Sequence, residues 1–234
     1  MSATVTLKTL NKSYIFDTIT NSITHKKLVF APSQYLFHQE KNVDGLLFVK
    51  SGIVKNIREL GKKKESILGL SKSGEFLGQQ FLIGEKVYSS SAKALGNVEV
   101  QFYKKDDIQN LLNNNQNLRL QVLLLLCNDV EDKESKIAEK AFKNLREIVA
   151  DTLMLLYEEY GSKKYLTIDI GITLTDLASL AGISVSYLRK VLLSFEQHQL
   201  IQILNKKSVS DEPLKIKILN KSGLKNQAII NLKY

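Results

Sequence analysis

The segment from Ile172 to Ile201 constrains the fold most, because it carries the local signals of two short helices joined by a tight turn. Thr173 and Asp176 form a capping-box pattern that starts the first helix. Gly182 permits a tight turn, since glycine adopts a positive φ at little cost. Ser184 is a favourable N-cap for the second helix. The pattern predicts a helix-turn-helix.

The second predicted helix has an apolar face and a polar face. At helical spacing its apolar face consists of Leu188, Val191, Leu192 and Phe195. The major groove of double-stranded DNA admits one such helix, and side chains on its first two turns reach the base edges. The N-terminal amides of the preceding helix favour a phosphate. An ordinary helical hairpin inside a hydrophobic core is the alternative interpretation.

Two segments of alternating hydrophobicity, residues 200–204 and 214–218, follow the helix pair and predict a β-hairpin. A hairpin in this position is typical of a winged helix-turn-helix, and its connection carries two lysines. The residues predicted to contact DNA are Thr173, Thr175, Ser184, Val185, Ser186, Tyr187, Arg189, Lys190, Lys206 and Lys207.

A long stretch without glycine or proline, residues 116–160, predicts extended helical structure. Within it, Leu123, Cys127, Val130 and Ile137 follow a heptad-like spacing. We expect these four residues to form the seam of a homodimer, with Cys127 as a small apolar side chain rather than a reactive thiol. Packing of the helix on the core of its own domain is the alternative.

Residues 27–104 have a different sequence pattern, in which short β-prone runs are separated by glycines and polar turns. This pattern predicts an antiparallel sandwich or barrel. We therefore expect a sensory domain over residues 1–115, a dimerisation helix and hinge over 116–142, and a winged helix-turn-helix domain over 143–234.

The amino-acid composition limits which kinds of partner the chain is expected to bind and which cellular compartment it fits. The 234 residues include 33 Lys and Arg against 24 Asp and Glu, a formal net charge of +9 that favours a polyanionic partner. Cys127 is the one cysteine, which excludes an intrachain disulfide and a thiolate zinc or iron–sulfur site, and fits a reducing cytoplasm. The longest apolar run, residues 122–127, is too short to cross a membrane, and the N-terminus lacks the pattern of a secretory signal.

An enzyme is not expected from the pattern of polar residues. The three histidines are scattered, and the sequence shows neither a metal-binding His spacing nor a legible Ser/His/Asp constellation. We expect no metal and no cofactor.

Several motifs, taken together, resemble the family of the cyclic-AMP receptor protein and the fumarate-and-nitrate-reductase regulator (CRP/FNR). Residues 46–52 are similar to its strand and turn, residues 74–78 to the start of its phosphate-binding cassette, and residues 89–95 to the end of that cassette. The long helix and the helix-turn-helix follow at the family's distances. The resemblance implies an α+β fold with an N-terminal cyclic-nucleotide-binding-like β-roll (a double-stranded β-helix), a long dimerisation helix and a C-terminal winged helix-turn-helix.

The resemblance also implies an effector pocket, but with departures. Cyclic-nucleotide binders carry a Glu and an Arg where this chain has Gln79 and Ser90, and neutral side chains do not replace an arginine that pairs with a phosphate. High-affinity cyclic AMP binding is therefore not expected, and the effector is unidentified. The pocket positions are Gly78, Gln79, Gln80, Ser89, Ser90, Ser91, Lys133 and Glu134.

The start of the second helix departs too, since the family's Arg-Glu and following Arg correspond here to Val185, Ser186 and Lys190. The family's known DNA targets therefore do not transfer. The sequence predicts a homodimeric regulator of transcription that binds double-stranded DNA. The alternative is a ligand-binding module that acts through protein partners with a non-functional helix-turn-helix. The sequence locates no surface that would contact RNA polymerase.

Overall fold

The computed structural model describes residues 11–228, except residues 62–64, 80, 81, 83, 85 and 206–211. Its N-terminal half begins with the helix α1 and continues with eight described strands. These elements are α1 (Lys12–Ser22), β1 (Lys26–Phe30), β2 (Tyr35–Phe37), β3 (Gly45–Ser51), β4 (Val54–Glu59), β5 (Glu65–Ser71), β6 (Phe76–Leu77), β7 (Ser91–Ala94) and β8 (Val98–Lys104).

The strands form two four-stranded antiparallel sheets, in the orders β1-β8-β3-β6 and β2-β7-β4-β5. In β8, Val98 and Val100 are buried on one face of the strand, while Tyr103 is buried on the other face, because successive strand side chains point to opposite faces. The ring of Phe37 stacks on Tyr88 with centroids 3.9 Å apart. One buried cluster contains Val49 and Val100 of the first sheet and Val54 and Ala92 of the second, so the two sheets share one core and the predicted β-roll is confirmed.

A glycine at the end of β3 allows the chain to pass from one sheet to the other. Gly52 has a φ of 90° and connects β3 to β4. A Cβ at this position would lie 2.3 Å from the backbone oxygen of Asn97 and 2.9 Å from the Cα of Val98. Only glycine satisfies both the left-handed conformation and the close approach of the neighbouring chain.

Two helices follow the roll, α2 (Lys105–Asn114) and α3 (Gln116–Phe142). Asn115 caps α3, because its side chain accepts a hydrogen bond from the backbone N–H of Leu118 at 2.9 Å. The buried residues of α3, Leu118, Gln121 and Val122, all lie in its first two turns. The helix therefore begins on the roll and then extends away from the core of its own chain.

The C-terminal part combines three helices with a small sheet and a last helix. These elements are α4 (Leu145–Tyr160), β9 (Thr167–Ile168), α5 (Leu174–Ala181), α6 (Val185–Gln197), β10 (Ile201–Ile203), β11 (Ile216–Ile218) and α7 (Lys221–Ala228). The sheet order is β10-β11-β9, and both pairings are antiparallel. A continuous buried cluster joins α4, α5, α6, the sheet and α7, in which Leu153, Leu188, Phe195 and Leu224 are fully buried.

No single described helix has both the length and the apolar composition needed to cross a membrane. Among the described elements, α5 and α6 reach that composition only when taken together, with a bend of 100° between them.

The apolar face of α6 gives a direct test of the core. Phe195 is fully buried, whereas Leu193, two residues earlier on the same helix, is exposed. We expect Phe195→Ala to lower the free energy of unfolding by about 3–5 kcal/mol, because it removes a buried ring and leaves a cavity. Leu193→Ala is the matched control, with an expected loss below about 0.5 kcal/mol. Urea denaturation measures both, and equal losses would contradict the described packing.

Candidate functional site

The first helix of the predicted pair, α5, is held at its start by two reciprocal hydrogen bonds. The Asp176 N–H donates to Oγ1 of Thr173 at 3.0 Å, and the Thr173 N–H donates to Oδ2 of Asp176 at 3.2 Å. This is the capping box that the sequence predicts. Thr175 is exposed at the same helix end, where the backbone amides carry partial positive charge.

The turn between α5 and α6 depends on a residue in the left-handed conformation. Gly182 has φ 75° and ψ 32°, and its N–H donates back to the last carbonyls of α5. The Ser184 hydroxyl then accepts from the N–H of Tyr187 at 3.2 Å and caps α6. The two helices meet at 100°, the arrangement typical of a helix-turn-helix.

The outward face of α6 carries the predicted contact residues. Ser184, Ser186, Arg189 and Lys190 are exposed. Val185 and Tyr187 are half-buried, because they pack against the core cluster of the same domain. Among the described residues, Arg189 and Lys190 have no ion-pair partner. Two adjacent cations on the first two turns are therefore available to a ligand of opposite charge.

The wing is described at its base. The strands β10 and β11 pair in the register Ile201↔Ile218, and Asn205 bridges them by accepting from the N–H of Lys215 at 2.8 Å. Lys206 and Lys207 lie outside the described residues, so their predicted role is not tested by the structure.

Arg146, which is not among the predicted site residues, contacts the side of α6 that faces the core. The Arg146 Nε donates to Oε1 of Gln227 at 2.9 Å, and its Nη1 donates to Oγ of Ser194 at 2.9 Å. Its guanidinium carbon lies 4.6 Å from the ring centroid of Phe195. Arg146 thus joins α4, α6 and α7. Nothing local in the sequence signals this role, because its partners are 48 and 81 residues away.

The second candidate region lies in the β-roll. Gly78 has a φ of 80°, and a Cβ there would lie 3.1 Å from both the Gly45 carbonyl oxygen and the ring of Tyr88. Ser90 and Ser91 are buried, and Ser89 is half-buried. The structure therefore places the described residues at the two ends of the cassette within the wall of the roll.

The buried hydroxyl of Ser91 already has partners in this chain. Its Oγ accepts from the N–H of Gln39 at 2.8 Å and donates to Oε1 of Glu59 at 3.0 Å. Glu59 is not among the predicted pocket residues. A carboxylate beside this serine repels a second anion, which disfavours a phosphate at the same hydroxyl.

Gln79 contacts α3 at a residue that the sequence did not single out. Its side-chain nitrogen donates to Oδ2 of Asp129 at 3.4 Å. Lys133 and Glu134, which the family resemblance placed in the pocket, are exposed farther along the helix. Gln80 lies outside the described residues. In this single chain, Asp129 is thus the α3 residue bonded to Gln79.

The described residues contain no group of three or more His, Cys, Asp or Glu side chains that could hold a metal ion. A small cavity of about 20 Å³ lies between α1, α2, α3 and the roll, and is lined by apolar side chains together with Gln79. Such a volume holds about one water molecule.

Known proteins resemble this chain in sequence and in fold. Residues 27–115 match the cyclic nucleotide-binding domain family. The fumarate and nitrate reduction regulatory protein of Yersinia pestis is 24% identical over 200 residues, which span 85% of this chain and 79% of that protein. FixK2 from Bradyrhizobium japonicum has a TM-score of 0.75 at 12% identity, covering 88% of this chain and 98% of its own. The c-di-GMP-responsive regulator CLP of Xanthomonas campestris has a TM-score of 0.68 at 18% identity, covering 86% and 98%.

The fold and the matched domain define a class of regulator in which a cyclic-nucleotide-binding-type β-roll precedes a winged helix-turn-helix. Residues 27–115 belong to the cyclic nucleotide-binding domain family, and over 85% of its length the chain is similar to relatives of the CRP/FNR type, which are regulators.

Glu75, at the start of the cassette region, gives a pH-dependent test. Burial raises the pKa of its carboxyl above the ordinary value, and this effect outweighs the opposing hydrogen bonds from Lys72 and Ser71. The folded pKa therefore exceeds the unfolded one, so stability falls as pH rises through the folded pKa and the carboxyl ionises. We expect Glu75→Gln to raise the melting temperature at pH 7.5, with the difference vanishing as the pH falls below the ordinary Glu range.

Glu99→Gln is the control, because the Glu99 side chain on the same roll is 34% exposed and lies 2.8 Å from Nζ of Lys27. We expect no stabilisation from that change at pH 7.5. Scanning calorimetry across the pH range measures both variants, and a Glu75→Gln variant that melts below the wild type at pH 7.5 would refute the assignment.

Proposed function

We propose that this chain is a homodimeric transcription regulator that binds double-stranded DNA through α6. One observation carries the proposal: Arg189 and Lys190 are exposed and without an ion-pair partner among the described residues, on the first two turns of a helix whose opposite face is fixed in the core. In this position they can donate to guanine edges or to phosphates in the major groove. The regulatory relatives support the same function.

The preceding helix, α5, supplies the proposed contact with the sugar–phosphate backbone of the DNA. The N-terminus of α5, with the exposed hydroxyl of Thr175, is a favourable place for a DNA phosphate. The net charge of +9 adds attraction that does not depend on sequence. Binding should therefore weaken steeply with salt.

A second copy of the chain is the proposed occupant of the exposed stripe on α3. Leu123, Val130 and Ile137 are 56%, 54% and 70% exposed, and Cys127 between them is exposed as well. Their heptad-like spacing suits a partner helix of the same kind. We accordingly divide the chain as before, into residues 1–115, 116–142 and 143–234. A two-fold dimer would present its α6 helices to half-sites about one helical turn apart, ~34 Å.

The proposed effector site lies in the roll, between Gly78–Gln79 and Ser89–Ser91, under α3. The bond from Ser91 to Glu59 and the absence of an arginine at position 90 argue against a cyclic nucleotide held by its phosphate. We leave the effector unassigned. The alternative, a ligand-binding module that acts through protein partners, gives no reason for Arg189 and Lys190 to be exposed and unpaired.

The DNA contact is tested by the double change Arg189→Ala and Lys190→Ala. We expect at least a tenfold loss of affinity for a pool of random-sequence duplexes at low salt, since two charge-assisted contacts together contribute more than about 1.4 kcal/mol. Fluorescence anisotropy measures the affinity, and circular dichroism checks that the fold persists.

The control is Lys26→Ala with Lys27→Ala, which removes the same charge from the exposed strand β1 of the roll. We expect a loss below about twofold from this pair, because only the general attraction changes. Equal affinities of the two double variants would exclude α6 as the DNA-binding helix.

The dimer is tested by Ile137→Asp. A carboxylate buried without a partner in the helix seam should weaken dimerisation by roughly 3 kcal/mol, or on the order of a hundredfold. Val29→Asp is the control, because Val29 is similarly exposed but lies on β1. Sedimentation velocity over a concentration series measures both. An Ile137→Asp variant that remains as dimeric as the control would show that this stripe is not the interface.

A further inference from the structure

The β-roll contacts α5 through a nearly buried ion pair. Nζ of Lys55, on β4, lies 2.6 Å from Oδ1 of Asp176, on α5. The two side chains are 14% and 11% exposed. The other oxygen of Asp176 accepts the capping hydrogen bond from Thr173. The carboxylate is therefore held in one orientation, with one oxygen for its own helix and one for the roll.

Two further hydrogen bonds join the same hairpin to the C-terminal domain. The Ile67 N–H on β5 donates to Oγ of Ser179 at 2.9 Å, and the Tyr160 hydroxyl on α4 donates to the Leu70 carbonyl at 2.9 Å. The side chain of Leu70 also packs against the core cluster of the C-terminal domain. We call this set of contacts between β4–β5 and α4–α5 the hairpin–helix interface.

The positions of these contacts along the hairpin and along α5 restrain the direction of α5 as well as its distance from the roll. In the β4–β5 pairing, Lys55 lies opposite Leu70 and Ile67 lies opposite Ile57, nearer the tip of the hairpin. Lys55 contacts Asp176 near the start of α5, while Ile67 contacts Ser179 one turn later. The hairpin therefore runs alongside α5 in register, which restrains rotation of the helix as well as its separation from the roll.

We infer that the hairpin–helix interface sets the orientation of α6 relative to the roll, and that Lys55 is its positioning residue. This inference rests on the proposed function, because orientation matters only if α6 binds DNA. A buried ion pair contributes little net stability, because the desolvation of both charges offsets their attraction, but it restrains geometry, since only a narrow range of positions pairs the two charges. Removing Lys55 leaves the Asp176 carboxylate without its cation.

The interface leaves the proposed DNA contacts of α6 uncovered. It covers the side of α5 that carries Asp176 and Ser179, while Ser186, Arg189 and Lys190 on α6 stay exposed. The interface can therefore persist while α6 occupies the groove.

The expected consequence is a loss of spacing selectivity. A dimer that binds two half-sites needs both α6 helices at a fixed separation, whereas a single half-site needs only one folded helix-turn-helix domain. Loosening the interface should thus weaken binding to the full site, leave binding to an isolated half-site unchanged, and increase tolerance of altered half-site spacing.

The test compares Lys55→Met with Lys27→Met in the full-length chain. Lys27 is the matched control, since its pair with Glu99 is exposed and lies within the roll, and both changes remove one positive charge. The probes are a two-half-site duplex enriched from random DNA by the wild type, its isolated half-site, and a version with half a helical turn inserted. We expect Lys55→Met to lower full-site affinity at least tenfold, with half-site affinity within twofold of the control.

Lys55→Arg keeps the charge and should restore full-site affinity. Equal losses on the full site and the half-site would overturn the positioning role, because damage within the helix-turn-helix would then explain them. Full-site affinity equal to that of Lys27→Met would overturn it as well.

Hydrogen exchange without DNA separates this inference from the proposed function. We expect amides of residues 65–71 and 174–181 to exchange faster in Lys55→Met than in Lys27→Met. Faster exchange supports the interface even if the wild type enriches no DNA, an outcome that would refute the proposed function alone. Equal exchange in the two variants overturns the inference.

Discussion

Burial of one face of α6 is the constraint on which the candidate site depends. Leu188 and Phe195 are fully buried, and Arg146 braces the helix from α4 and α7. With that face fixed, Arg189 and Lys190 point outward. The same packing that stabilises the domain thus sets the orientation of the proposed DNA contacts. One face of α6 contributes to the stability of the domain, and the other face carries the proposed DNA contacts.

The sequence predicted the parts of the molecule whose signals are local. The capping box of Thr173 and Asp176, the turn at Gly182 and the cap at Ser184 are contacts between residues at most a few positions apart, and the structure has all of them. The α+β fold with its β-roll is confirmed for the same reason, because alternation and turn residues mark strands directly. The domain boundaries and the roles of the site residues stay predictions.

The features that the sequence missed depend on contacts between distant residues. Lys55 and Asp176 are 121 residues apart, and neither shows by its neighbours that it has a partner. The same holds for the bond between Gln79 and Asp129, which are 50 residues apart. A family position transfers reliably only where the local backbone is fixed, and no residue of α3 past its first two turns is buried in this chain.

The most direct test of DNA recognition by a two-fold dimer is selection of random-sequence duplexes by the purified wild-type chain, followed by sequencing. We expect enrichment of a two-fold-symmetric motif whose half-site centres lie about one helical turn apart, ~34 Å. Failure to enrich any motif at low salt, or enrichment of an asymmetric motif the length of one half-site, would contradict it.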